Sequence, residues 1–585
     1  MRMNGDRVVR EIEGRFSEEE LRGQKHCDEL QVSSVRTQLN LGSRRLRHQV
    51  VTLGFLSEHL ATDFISARLA ASLAAESGDM TVLVRFTRQD DIGDTDGAAR
   101  ADLSLNGEFH MPPQIRRTSA GFHSLILGVG GEPPSPAGIA SLVNQLRCHF
   151  THVLLAAVVN ERSSPWFSEC LLRSDQTYLF LQPNADGVAD FEQLMREARR
   201  SGGGNRVAQT KLIGCLAEGE PADGFDLFVH RTGKPTHMFI HRCPTLEEAR
   251  KESQSGLAAL FCADVRRLAR EICGRLVGLA LSSGAAKGFA HVGVIQVLEE
   301  HGIEVDVVAG ASMGAYVGSL WAYGNNGPEL ERIAREMEGR WSLWSLIDPA
   351  FPPRQGFLRG YAVKKRLMRT IGQARFGDLA RPLRVVAGNL ATLERVVFTS
   401  GEVATAVHAS CAVPGVCVPV TIDGETYIDG GIVDPLPVDV LREMGVAKVI
   451  AVDVIPTPDR IRAGLEAGRE PKRCREKSVR NLLRRLFPVN QQLNYFARGN
   501  LFEILMRSLY GAQIRVAEAS SRQADVVLRP EICDDRWLDY RHPGKFIALG
   551  REAAERQIDE IKALVARKES NHEQKPAPET LAATA

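Results

Sequence analysis

Val308-Ala309-Gly310-Ala311-Ser312-Met313-Gly314-Ala315-Tyr316 sets a G-x-S-x-G pentapeptide between an apolar strand pattern and a helix-forming run. That order puts Ser312 on a sharp strand-to-helix turn. Gly310 and Gly314 let such a turn close without side-chain clashes and leave the hydroxyl accessible. The serine also falls at a helix N-terminus, where free N–H groups and the helix dipole favour developing negative charge. Strand, turn and helix in this sequence point to an α/β fold, and to a serine nucleophile if a base lies nearby.

Two flanking stretches supply candidates. Upstream, Leu279-Ala280-Leu281-Ser282-Ser283-Gly284-Ala285-Ala286-Lys287-Gly288-Phe289 reads as a strand entering a loop of small residues. Small side chains let a reacting carbonyl approach backbone N–H groups closely, so the loop can serve an oxyanion; alone, it reads more readily as a plain strand-to-helix turn. Downstream, Tyr427-Ile428-Asp429-Gly430-Gly431 places a carboxylate on a glycine-supported turn after a strand. Asp429 there is either a base for Ser312 or the acceptor of a local Asx-type hydrogen bond.

Taken together, the small-residue loop, G-x-S-x-G and D-G-G resemble the patatin-like phospholipase family. Ala409-Ser410-Cys411-Ala412-Val413-Pro414-Gly415 is similar to that family's A-S-x-A-x-P-G segment, and Val292 to Gly302 to its first crossover helix. The resemblance covers roughly 277–442. It implies a three-layer α/β/α domain and a Ser–Asp dyad acting on acyl esters of phospholipid or lysophospholipid. Ser312 would be the nucleophile and Asp429 the base, with the amides of Gly284 and Ala285 as the oxyanion hole. Lys287, Gly288, Gly310, Gly314, Gly430 and Gly431 would support the motifs, and no metal or organic cofactor is expected. His291 and His408 are read as packing residues. One departure stands out: where the family has G-G-G-x-R/K-G, this chain has Ser283-Gly284-Ala285-Ala286-Lys287-Gly288. A positive φ at Ser283 or Ala285 would cost about 1 kcal/mol each. A catalytically weak or inactive lipid-binding scaffold is therefore the alternative reading.

Outward from this core, 48–245 alternates apolar strands with helical patterns. Strands are predicted at Met80–Phe86, His123–Gly128, His152–Val159, Gln176–Leu181 and Gln209–Leu216. Runs apolar throughout argue a mostly parallel sheet covered on both faces. This region resembles the one that precedes the catalytic domain in bacterial relatives of neuropathy target esterase, and its strand rhythm is similar to MinD/ParA-type domains. Their phosphate loop is missing, however: the corresponding Leu53-Gly54-Phe55-Leu56-Ser57-Glu58-His59 has neither a second glycine nor a lysine, so ATP binding is not expected. The remaining divisions are a helical leader (1–47), too short for a cyclic-nucleotide-binding barrel, a helical connector (246–276), the catalytic domain (277–455), a basic loop with a helical C-terminal region (456–567) and a polar tail (568–585). Catalytic-domain strands are predicted near 277–282, 305–309, 383–388, 394–399 and 448–455.

A net charge of +1 offers no global attraction to nucleic acid or anionic lipid. Eleven cysteines without C-x-x-C spacing, and no signal peptide, favour a cytoplasmic setting. No apolar run is long enough to span a membrane. Membrane contact would have to be peripheral, for instance through 456–487, where ten Lys/Arg face four Asp/Glu, or through the aromatic segment Trp341–Phe357 (Trp341, Leu343, Trp344, Leu346, Phe351, Phe357). The sequence is silent on oligomeric state.

Overall fold

A computed structural model describes residues 48–56, 60–88, 99–102, 115, 117–129, 135–159, 164–182, 185–200, 209–220, 222–244, 248, 259–338, 348–352, 354–455, 457, 462, 501–532 and 540–566. The leader, the tail, Glu58, almost all of the 456–487 basic stretch, and Trp341, Leu343, Trp344 and Leu346 lie outside them.

The first unit is built on strands β1 (Gln49–Phe55), β2 (Thr81–Arg88), β3 (Ala99–Asp102), β4 (His123–Val129), β5 (His152–Val158), β6 (Gln176–Leu181), β7 (Lys211–Cys215) and β8 (Met238–Ile240). They form one all-parallel sheet in the order β3-β4-β2-β5-β1-β6-β7-β8. Alternation along β1 shows why both faces must be covered. Val50 joins the core with Leu142 and Leu146, whereas Val51 and Leu53 join the opposite core with Ile65 and Leu69. The helix Ala259–Ile272 contributes Phe261, Val265 and Leu268 to that second core. The connector helix thus packs with the front unit.

The second sheet contains β9 (Val277–Leu281), β10 (Val307–Ala311), β11 (Leu383–Asn389), β12 (Arg395–Phe398), β13 (Val420–Ile422), β14 (Glu425–Asp429), β15 (Lys448–Val452) and β16 (Val526–Leu528). Its order is β13-β14-β11-β10-β9-β15-β16, with β12 on β11. The β16–β15–β9–β10–β11 stretch is parallel, while β12 and β14 pair antiparallel with β11. Helices cover both faces: Ala290–Glu300 and Met313–Tyr323 on one, Val438–Glu443 on the other. Two α/β units followed by C-terminal helices (Leu501–Ser521, Pro543–Arg556, Ile558–Val565) are the fold class expected from the sequence.

The C-terminal region is integral to the second unit. A Cβ on Gly293 would lie 2.0 Å from the Ile547 carbonyl oxygen, and one on Gly550 2.0 Å from that of Ala290. The helices Ala290–Glu300 and Pro543–Arg556 therefore cross backbone to backbone, beside a two-pronged Arg551–Glu300 ion pair. Gly293→Ala is expected to destabilise this unit by about 1–3 kcal/mol through overpacking. A denaturant titration reads the loss, and an unchanged midpoint would contradict the crossing.

Candidate active site

Strand register brings Ser312 and Asp429 together. On one edge of β11, β12 pairs with Val385–Gly388. The other edge carries β10 as far as the Val386–Ala311 pair, then β14 from the Ala387–Asp429 pair onward. Strands β10 and β14 thus run toward each other and end head to head. Ser312 is the next residue after β10, and Asp429 is the last of β14, so two residues 117 positions apart in the chain meet in a hydrogen bond. The Ser312 hydroxyl donates to Asp429 Oδ2 at 2.6 Å.

The serine is held in strained backbone, with φ 52° and ψ −120°. Such a conformation persists only where its surroundings over-determine it. Gly314 makes room: a Cβ there would sit 2.2 Å from the Leu281 carbonyl oxygen of β9. Gly310 faces the turn itself, with Gly314 and Ala315 backbone atoms 2.6 Å from a Cβ. Ser410 locks the elbow from outside. Its hydroxyl donates to the Val386 carbonyl at 2.6 Å and accepts from the Ser312 N–H at 2.8 Å.

Asp429 is fixed as tightly. Its N–H donates to the Ala412 carbonyl at 2.9 Å, and its Oδ1 accepts from the Gly431 N–H at 2.7 Å. Gly430 passes so close to β11 that a Cβ would lie 2.1 Å from the Val386 oxygen. Asp429 thus makes the Asx-type bond and also reaches Ser312; the two readings of D-G-G are not exclusive. Burial pushes its carboxyl up to about 6, against the opposing effect of the bonds from Ser312 and Gly431.

The small-residue loop follows β9. Gly284 is extended (φ 169°), and Ala285 takes the left-handed region (φ 48°) that its lost glycine would have adopted freely. Ser283 does not; its N–H donates to the Pro435 carbonyl. Among the described residues, neither the Gly284 nor the Ala285 N–H has a backbone acceptor. Gly288 packs against the Met313 side chain, where a Cβ would lie 2.4 Å from Met313 Cγ. Lys287 is buried rather than solvated. Its ammonium lies over the Tyr510 ring, 5.7 Å from the centroid, and 3.4 Å from the Tyr510 hydroxyl.

Both histidines sit in packing roles. Buried His291 Nε2–H donates to the Ser282 carbonyl, and burial pushes its ring down to about 4. His408 Nε2 lies 3.2 Å from the Arg359 carbonyl. Neither Ser410 nor Cys411 was given a role from the sequence; the thiol of half-buried Cys411 lies against Ser312, and desolvation holds it well above its usual range. The signal for Ser410 was its place in the A-S-x-A-x-P-G segment.

The family model for patatin-like phospholipases matches residues 279–442. Lysophospholipase nte1 of Aspergillus fumigatus is 28% identical over 329 residues, covering 50% of this chain and 21% of the fungal protein. Lysophospholipase NTE1 of Pyricularia oryzae is 33% identical over 197 residues, covering 34% and 13% respectively. The chain thus spans about a fifth or less of the length of these two relatives. Among solved structures, MinD of Aquifex aeolicus is similar at 13% identity and TM-score 0.31, covering 39% of this chain and 97% of that one.

Proposed function

Since residues 279–442 belong to the patatin-like phospholipase family, we propose that the chain is a serine lipid acyl hydrolase of phospholipase or lysophospholipase type, with Ser312 and Asp429 as its dyad. The observation that carries this reading is the 2.6 Å hydrogen bond between a buried hydroxyl on a strained elbow and a buried carboxylate. As Ser312 Oγ bonds to the ester carbonyl carbon, its proton passes to Asp429 Oδ2. The carbonyl oxygen becomes an oxyanion facing the Gly284 and Ala285 amides. Collapse of the intermediate breaks the ester bond, and Asp429 returns the proton to the departing alcohol. Water, deprotonated by the same carboxylate, then cleaves the acyl-serine to free fatty acid and serine.

Strain at Ala285 is compatible with this chemistry. The alanine adopts the φ a glycine would have supplied, at about 1 kcal/mol, so the altered loop need not lack its donors. A cytoplasmic protein in peripheral contact with anionic membrane fits the reading, and among the described residues no helix is long and apolar enough to cross a membrane.

Fatty acid release from a panel of lysophospholipids, diacyl phospholipids and monomeric esters tests the proposal. Release from lysophospholipids is the expected result. No release from any ester, together with no labelling by a fluorophosphonate, would leave the lipid-binding scaffold as the better account.

A further inference from the structure

Residues 348–371 carry six Lys/Arg and one carboxylate. The carboxylate is spent locally: Asp348 accepts from the Gly360 and Ala362 N–H groups at 3.0 Å each, securing the start of the helix Tyr361–Ile371. Two cations are also engaged, Lys364 with Glu402 and Arg366 with Glu336. The other four, Arg354, Arg359, Lys365 and Arg369, are exposed and have no ion-pair partner among the described residues.

Large rings are exposed along the same segment. Phe351 is 91% exposed, Tyr361 61% and Phe357 42%. Tyr361, Lys365 and Arg369 recur every fourth residue, so they form one stripe along the helix. The opposite side, with Leu367 and Ile371, enters the core. A depression of about 830 Å³ opens along the stripe, lined by Asp348, Tyr361, Lys364, Lys365, Met368 and Arg369. Rings standing proud among unpaired cations are costly in water and suit the boundary between headgroups and acyl chains of a negatively charged bilayer.

The face is tied to the dyad. Phe357 and Leu358 both donate N–H bonds to the Val416 carbonyl at 2.9 Å, and Val418 donates to Leu358 at 2.8 Å. The Tyr361 ring packs on His408, with centroids 5.2 Å apart. His408 lies two residues before Ser410, which holds the Ser312 N–H.

We propose that the surface formed by Phe351, Phe357, Tyr361, Lys365 and Arg369 docks the protein on anionic lipid bilayers, seating the chain beside its nucleophile. The expectation of a lipid partner rests on the hydrolase reading. Docking and turnover are nevertheless separable, because binding can be measured on Ser312→Ala.

The test is co-sedimentation of the full Ser312→Ala chain with vesicles of phosphatidylcholine, with and without phosphatidylserine, across a salt series. Binding is expected only with phosphatidylserine and should weaken as salt rises. Adding K365A and R369A should reduce it about thirtyfold. F351S with F357S should reduce it at least about tenfold even at low salt. Circular dichroism melting checks that these surface variants stay folded. Three results would overturn the proposal: no phosphatidylserine-dependent binding, binding unchanged in both variants (which would move the contact to 456–487), or self-association through this face in sedimentation velocity that the same substitutions abolish. Vesicle binding by a chain whose Ser312 form hydrolyses no ester would sink the hydrolase reading and leave the docking surface standing.

Discussion

Replacing Ser312 by alanine is expected to remove ester hydrolysis down to background, a loss of about four orders of magnitude or more, judged from nucleophile deletions in other serine hydrolases. The change deletes the atom that forms the acyl intermediate and little else. The elbow is held by the Ser312 backbone N–H bonded to Ser410, and an alanine N–H keeps that bond. Folding should therefore survive, and the activity loss would report chemistry. Fluorophosphonate labelling gives a second measure: the wild type should take one label, recoverable on the peptide containing residue 312, and the variant none. A variant that still turns over substrate would place the nucleophile elsewhere.

Asp429→Asn should separate activity from stability. Asparagine cannot take the proton from Ser312, so turnover is expected to fall a hundred- to ten-thousandfold. Stability should move the other way. The folded carboxyl sits at about 6, above its ordinary 3.8, so the folded chain holds this proton more tightly than the unfolded chain does. The stabilisation from protonated Asp429 is fully present below about 3.8 and is lost as pH rises through about 6. At neutral pH the wild type bears the whole cost of a buried charge, on the order of 3 kcal/mol. The neutral amide escapes that cost, and the variant should melt higher than wild type at neutral pH, with the gap closing in acid. The same carboxylate shapes the rate profile. Wild-type kcat/KM should climb through pH about 6 and then level off, while the residual rate of the variant should lack that step. A variant as active as wild type would dismiss Asp429 as the base.

Much of the architecture could be read from the chain because parallel strands buried on both faces are apolar throughout. β5, at His152–Val158, and β6, at Gln176–Leu181, lie where predicted. Other ends were trimmed: β7 keeps only Lys211–Cys215, and β15 stops at Val452 where the chain leaves the ladder. In the front sheet the four-residue β3 and the seven-residue β1 were not predicted, although β1 is buried from Val50 to Phe55; the others left out are short or half-exposed. β8 and β16 have three residues each, and three-residue β13 turns Thr421 to solvent, so their hydrophobic periods are too short to register; β14 was read only as the strand leading to Asp429. Motif spacing made Ser312 and Asp429 legible as candidates. What it did not contain was the head-to-head meeting of β10 and β14, a matter of long-range register along β11. Nor did it reveal that Lys287 would turn inward to Tyr510, since nothing local says that the helix Leu501–Ser521 will cover it.

The seam between the two units bears on how the protein can be handled. His241 reaches across to the Gly377 carbonyl at 2.7 Å, Arg384 to the His237 carbonyl at 3.0 Å, and the Gly401 N–H to Asp226 at 2.7 Å. Gly377 lies so near Ala222 that a Cβ would come within 2.4 Å of its methyl. Contacts this close do not survive surgery. A fragment cut at the start of β9 would bare the Gly377–Arg384 ledge to solvent, and that ledge leads directly into the strand along which the serine and the aspartate meet. Recombinant work on the lipid chemistry is better served by keeping the front sheet attached, and truncation data should be read first as damage to the ledge.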